Sequence, residues 1–277
     1  MHSPIAPSRI LVLGAHPDDA EFHAGGLLAR HAAMGSIVSM VSVTDGRSGH
    51  HEIPPADLVP IRREEARQAG RVIGAEYETW DFPDGSLDPS LDVREAIIAK
   101  IRKFRPDLVL THRPNDYHPD HRAVGQAVQD ASYMVTVPHV VSHVPALRRD
   151  AVVAYMVDMF TRPNPLRADV ILDVTAEVDL VVQMMACHVS QFFQWLPYHD
   201  HCLAEVPDTE VDRAKWLRGW FLKIGEQRLH HFQSHRAVQN LDRTRSNAIE
   251  VYEVSEYAGS LTSDVRCRLF PGEIVQS

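Results

Sequence analysis

Four short apolar runs separated by helix-length segments set the strongest limit on how this chain can fold. The runs lie at residues 9–13, 37–43, 77–82 and 108–111, and helical patterns fill the gaps at 21–34, 58–73 and 91–104. Each gap is long enough for the crossover that joins two parallel strands. The first and fourth runs are apolar throughout rather than alternating, as expected of strands covered on both faces. The pattern predicts an α/β fold: a doubly wound, mostly parallel, Rossmann-like sheet with helices on both faces. In a sheet of order 3-2-1-4-5, the strand order reverses between strands one and four, and ligands bind outside the carboxyl ends of the strands at that point.

Beyond Pro119 a further helix is expected to about Tyr133, then a proline-broken stretch around Pro138 and Pro145, strands at 152–157 and 170–174, and a helix over 176–195. A charged helix at 208–224 and turn-rich remnants follow. Neither an internal repeat nor a linker-like segment interrupts the chain. The simplest division is a single domain over 1–277, with a core α/β fold over about 1–195 and a C-terminal elaboration over about 196–277.

Charge and composition narrow the function. The chain is 44% hydrophobic and 23% charged, an ordinary globular balance, and its net charge of −9 without a sustained Lys/Arg cluster argues against a nucleic-acid partner. Residues 1–14 lack the basic and long apolar regions of a signal peptide, and no run approaches the roughly 18–20 apolar residues of a membrane span. Three widely spaced cysteines suggest no disulfide framework, so a cytoplasmic location is expected.

Two motifs fall at the two sides of the expected switch point. Ala15-His16-Pro17-Asp18-Asp19 follows strand one, and His118-Pro119-Asp120-His121 follows strand four. Either motif alone suits a turn with a helix cap. Together they bring imidazoles and carboxylates into one crevice, in the mixture that a catalytic zinc accepts with three protein ligands and one open position. His16, Asp19 and His121 are the candidate ligands, and other divalent first-row metals suit the same set. Asp18 is then free to act as general base toward the attacking water, and a protonated His118 to hold the oxyanion or protonate the leaving amine. Asp120 favours the helix macrodipole and could also orient a ligand histidine.

With these motifs the sequence resembles the PIG-L/LmbE-like deacetylases, the superfamily of N-acetylglucosaminyl-phosphatidylinositol de-N-acetylase. The resemblance covers residues 9–135 well and continues loosely to about 195, and it includes the Gly25-Gly26 pair and the run HPDHRAVG. It implies zinc on His16, Asp19 and His121, Asp18 as base, and His118 facing the tetrahedral intermediate. It further implies that Arg62, in Arg62-x-x-Glu65-Ala66, contacts substrate, with Glu65 beside it. A solvated Arg62–Glu65 ion pair explains the same spacing. Asp84-Gly85 and His188-x-Ser190-Gln191 resemble two further family signatures, whereas Ala20 and His23 depart from the common pattern.

The expected function is a zinc-dependent hydrolase removing an N-acetyl or other N-acyl group from a small amino-sugar substrate or its conjugate. Two alternatives are a metal amidohydrolase for a non-sugar N-acyl metabolite and a non-catalytic sugar- or nucleotide-binding module. The second is disfavoured by two acids where a pyrophosphate would sit and by the lack of G-x-G-x-x-G. The loop over 44–51 is expected to overhang the site. Seventeen histidines caution against reading His50-His51, His199/His201 or His230-His231 as a second metal site. Phe192, Phe193, Trp195 and Tyr198 suit either the substrate mouth or a contact in a homo-oligomer.

Overall fold

The computed structural model describes residues 7–274; residues 1–6 and 275–277, and with them the first part of the stretch read for a leader peptide, lie outside the described residues. The first four strands are β1 (Arg9–Gly14), β2 (Ile37–Thr44), β3 (Glu76–Phe82) and β4 (Leu108–Thr111). Between them run α1 (Asp19–Ala33), α2 (Pro55–Val72) and α3 (Leu91–Phe104). β1 pairs in parallel with both β2 and β4, Ile10 lying opposite Val38 on one side and Leu108 on the other. The sheet is therefore mixed α/β with a parallel centre, and its order begins β3-β2-β1-β4, the order that places the switch point between β1 and β4.

Alternate residues of β1 supply both cores. Ile10 and Val12 join Leu27, Leu28 and Met184 on one face, while Leu11 and Leu13 join Ile97, Ile101, Val124 and Val128 on the other. Local chemistry sets the helix ends. Pro55 opens α2, Ser90 caps α3 by accepting the Val93 N–H, and Arg105 closes α3 in the left-handed region at φ 54°. α4 (Pro119–Ala131) follows β4 and starts with proline behind a His118 cap. At Gly125 an added Cβ would stand 2.5 Å from the His112 carbonyl oxygen, so only glycine lets α4 approach the end of β4 this closely.

The later chain departs from expectation in three places. β5 (Val152–Tyr155) and β6 (Val170–Asp173) form, but β7 (Ile249–Val254) inserts antiparallel between them, giving the order β3-β2-β1-β4-β5-β7-β6. The segment after residue 195 thus contributes an interior strand of the sheet. The helix expected over 176–195 is broken: α5 (Val178–Ala186) ends before His188, and a π-helical turn at Gln191–Trp195 leads into α6 (Leu196–His199). Side chains of residues 188–191 are drawn to partners on α1 and α2, which a continuous regular helix would not serve. The charged helix runs further than expected, as α7 (Glu210–His231), and is followed by α8 (Arg236–Gln239) and α9 (Ser263–Leu269). Among the described residues no helix is long and apolar enough to cross a membrane.

Candidate metal centre

The carboxyl ends of β1 and β4 bring the two motifs face to face. His121 Nε2 lies 3.2 Å from His16 Nδ1 and 3.4 Å from Asp19 Oδ1, and His16 Nδ1 lies 3.6 Å from Asp19 Oδ2. The other ring nitrogens face carboxylates: His16 Nε2 is 3.2 Å from Asp84 and 3.4 Å from Asp120, and His121 Nδ1 is 3.2 Å from Asp116. With a proton on each outer nitrogen, the two rings would direct lone pairs at one another beside a carboxylate. That arrangement repels unless a cation lies among the three groups. Their separations are close to the roughly 3.4 Å edge of a tetrahedron of donors about 2.0–2.1 Å from an ion.

The electrostatics agree with a cation site. Burial pulls His16 down, but Asp120, Asp19 and Asp84 hold it well above the ordinary histidine value. Burial likewise works against His121, which Asp19 and Asp116 raise to about 9. Burial favours the neutral form of Asp19, yet His121 and His112 keep its carboxyl well below the usual range. Three groups of residues have metal-ligating spacing among the described residues: His16/His118/His121, Asp19/His112/His121 and His16/Asp84/Asp120. All share His16 or His121. The His-rich pairs elsewhere form no such group among the described residues.

Asp18 occupies the N-cap position of α1 without capping it, since its side chain accepts no helix N–H. Its backbone stands at φ 131°, ψ −21°, outside the ordinary range for an L-residue, and its N–H donates to the Tyr77 hydroxyl at 3.1 Å. Burial and the adjacent Asp19 push its carboxyl up to about 7. His118 Nδ1 accepts the Asp120 N–H at 3.2 Å, which leaves the ring proton on Nε2. The protonated His118 expected from sequence thus gives way to a neutral imidazole that can still donate from Nε2. Burial and the neighbouring His16 and His121 push its pKa down in the same sense.

The remaining expected residues separate. Asp120 accepts the Gly85 and Leu87 N–H groups at 2.7 and 3.2 Å, tying the Asp84-Gly85 turn to the centre. Arg62 is buried on the cavity wall and donates to the Pro17 and Gly49 carbonyls and to Gln191. It does not pair with Glu65. Both Glu65 oxygens are taken by Ser190, from its N–H at 2.8 Å and its hydroxyl at 2.6 Å, and Glu65 does not line the cavity. His188 pairs with buried Glu21, which also accepts from the Tyr77 hydroxyl. The His188-x-Ser190-Gln191 signature therefore ties the C-terminal half of the chain to α1 and α2.

Sequence reasoning missed His112 and Asp116. His112 follows β4 directly and its Nε2 lies 3.0 Å from Asp19 Oδ2, while its ring stacks on His121 at 3.9 Å. A histidine at the carboxyl end of a strand beside the switch point was the available signal. The centre opens into a cavity of about 700 Å³ reached by Ser48 and Gly49 of the overhanging loop and by Phe192 and Trp195.

The family described as PIG-L: GlcNAc-PI de-N-acetylase matches residues 11–132, which include both motifs. An uncharacterized deacetylase, YaiS, of Escherichia coli is 33% identical over 141 residues, covering 48% of this chain and 72% of that protein. The chain belongs to the PIG-L family. Another PIG-L relative, the diacetylchitobiose deacetylase of Thermococcus kodakarensis, is 32% identical over 123 residues, covering 42% of this chain and 46% of that one, so the match spans about half the relative's length. The solved 4-carboxy-2-hydroxymuconate hydratase of Pseudomonas putida has the same fold, with a TM-score of 0.69 over 92% of this chain and all of that one at 22% identity. The PIG-L fold thus carries a hydratase as well as deacetylases.

Proposed function

We propose that this protein is a divalent-metal-dependent N-deacetylase, with zinc the expected ion, acting on an amino sugar or its conjugate. The observation that carries the proposal is the convergence of His16 Nδ1, His121 Nε2 and the Asp19 carboxylate, 3.2–3.6 Å from one another, at a cavity that Asp18 and His118 also line. The names of the deacetylase relatives support the reaction, and diacetylchitobiose supports the substrate class.

His16, Asp19 and His121 would hold the ion, with Asp84, Asp120 and Asp116 orienting the two imidazoles. A bound ion supplies Lewis acidity, polarising the amide carbonyl and acidifying water at its open position. Asp18 accepts a proton from the water that attacks the carbonyl carbon, and its raised position beside Asp19 suits a base working near neutrality. His118 donates from Nε2 to the developing oxyanion. As the C–N bond breaks, the proton held by Asp18 passes to the leaving nitrogen, giving a free amine and acetate. Arg62 and the Ser48 to Gly49 segment form the polar rim that faces sugar hydroxyls.

The test is to purify the protein without chelator, quantify bound metal, and follow acetate release from N-acetylglucosamine and its conjugates. About one metal per chain with metal-dependent release is expected. Asp18→Asn retains the metal and loses at least about a hundredfold in kcat, whereas His121→Ala loses the metal. Metal without acetate release would direct the search to non-sugar N-acyl compounds. A metal-free protein under zinc-replete conditions would refute the centre and favour a binding module.

A further inference from the structure

The metal centre occupies only one end of the cavity. From the other side, α7 presents Trp220, Ile224 and Arg228, spaced four residues apart on one helix face. Phe22, Phe160 and Phe192 complete an apolar wall, with Phe22 and Phe192 each about one ring contact from Trp220, at 5.8 and 5.9 Å between centroids. His23 stands between this wall and the centre, its ring 6.4 Å from that of His121.

Arg228 is the anomaly in this wall. It is only 4% exposed, yet among the described residues its side chain makes one hydrogen bond, a long contact from Nη2 to the Phe22 carbonyl, 3.3 Å, with the guanidinium 5.2 Å from the Phe22 ring centre. Among the described residues no carboxylate lies within ion-pair distance of it. Glu250 contributes charge at longer range, but its oxygens are engaged by the Gly26 and Leu27 N–H groups and the Tyr252 hydroxyl. A guanidinium carries five N–H donors, and burying it without a partner is costly. The donors left over border the cavity.

We propose that Arg228 forms an anion-binding pole of the cavity, taking a carboxylate or phosphate on a substrate whose intervening part is apolar and packs on Phe22, Phe192 and Trp220. The polar rim at Arg62, Ser48 and Asp84 takes the hydroxylated part of the same molecule. This deepens the deacetylase reading, on which it rests for the position of the scissile amide, by making the substrate an amphipathic anion rather than a neutral amino sugar.

Direct binding tests the pole without turnover. Calorimetry on the metal-loaded protein would compare phenylbutyrate, phenylbutyl phosphate and phenylbutanol, for wild type, Arg228→Met and Arg228→Lys. In wild type at least one anion should bind about tenfold or more tighter than the alcohol, as expected for a charge-assisted pair. Which anion wins identifies the source of the charge. Arg228→Met should reduce the advantage to within about twofold, and Arg228→Lys should keep part of it, since it retains charge without the planar fork. If Arg228→Met does not fold, the graded loss in Arg228→Lys carries the test. Equal binding of all three probes, or an advantage that survives both substitutions because the anion sits on the metal, would overturn the proposal. Arg228-dependent binding without acetate release from any N-acetyl substrate would leave the pole standing and sink the reaction; acetate release without an anion advantage would do the reverse.

Discussion

Replacing Tyr77 with phenylalanine should separate the placement of Asp18 from metal binding. The substitution keeps the ring and removes one hydroxyl, which accepts the Asp18 N–H at 3.1 Å and donates to Glu21 at 3.3 Å. The Asp18 backbone at φ 131° stores strain of roughly 1–3 kcal/mol, and the orphaned buried N–H would cost about 1–3 kcal/mol more. The hydrogen bond to Tyr77 offsets that strain, so without it Asp18 is free to relax toward an ordinary conformation. At about 1.4 kcal/mol per factor of ten, the competent arrangement should fall by about 5- to 150-fold, and kcat with it. The donors His16, Asp19 and His121 make no hydrogen bond to Tyr77, so metal content should be unchanged. Steady-state kinetics, metal analysis and chemical denaturation would be read together, with Tyr77→Phe also placed in an Asp18→Asn background. If the hydroxyl acts through Asp18, it has no further effect on kcat there. A Tyr77→Phe protein that is less stable but keeps kcat within twofold would refute the reasoning.

Other consequences are equally direct. Asp116→Asn should weaken metal affinity by about 10- to 100-fold, measured by competition with a chelating dye, because His121 Nδ1 loses its carboxylate; unchanged affinity would remove Asp116 from the centre. Gly125→Ala should destabilise the protein by about 1–3 kcal/mol in chemical denaturation, since the new methyl meets the His112 backbone at 2.5 Å, and tolerance would show that α4 shifts freely. His31 is buried between Ser36 and the Leu269 carbonyl, and burial lowers its pKa, so folding favours the neutral ring. Between the lowered folded value and the ordinary value near 6.5, the unfolded chain binds more protons, so stability is lost as pH falls below about 6.5. His31→Gln should flatten that part of the melting-temperature profile, and an unaltered slope would assign the acid sensitivity elsewhere.

Much of the first half of this architecture is legible in the sequence because its determinants are local or periodic. β1 and β4 are buried on both faces and read as continuous apolar runs, and the two motifs sit where their strands end. β7 is not legible locally because the acids of IEVYEV stand three apart, at 250 and 253, which breaks the two-residue alternation of a strand with one apolar face, and Glu250 is buried against α1 N–H groups far away in sequence. The break in the helix over 176–195 has the same origin. His188, Ser190 and Gln191 answer to Glu21, Glu65 and Arg62, and no local propensity encodes those partners. Asp116 belongs to no short motif, so only the assembled strand ends reveal it, whereas His112 is signalled in the sequence by its place directly after β4.

The place of β7 in the sheet bears on how the chain is made. β6 reaches β5 only through β7, which lies about 80 residues later in the chain. At synthesis rates of roughly 5–20 residues per second, β5 waits several seconds on the ribosome with an open hydrogen-bonding edge, and β6 waits without a neighbour. The nascent chain can assemble the parallel half early, but its last strand closes the sheet from within, so the β5 edge stays unpaired until residues 249–254 have been made.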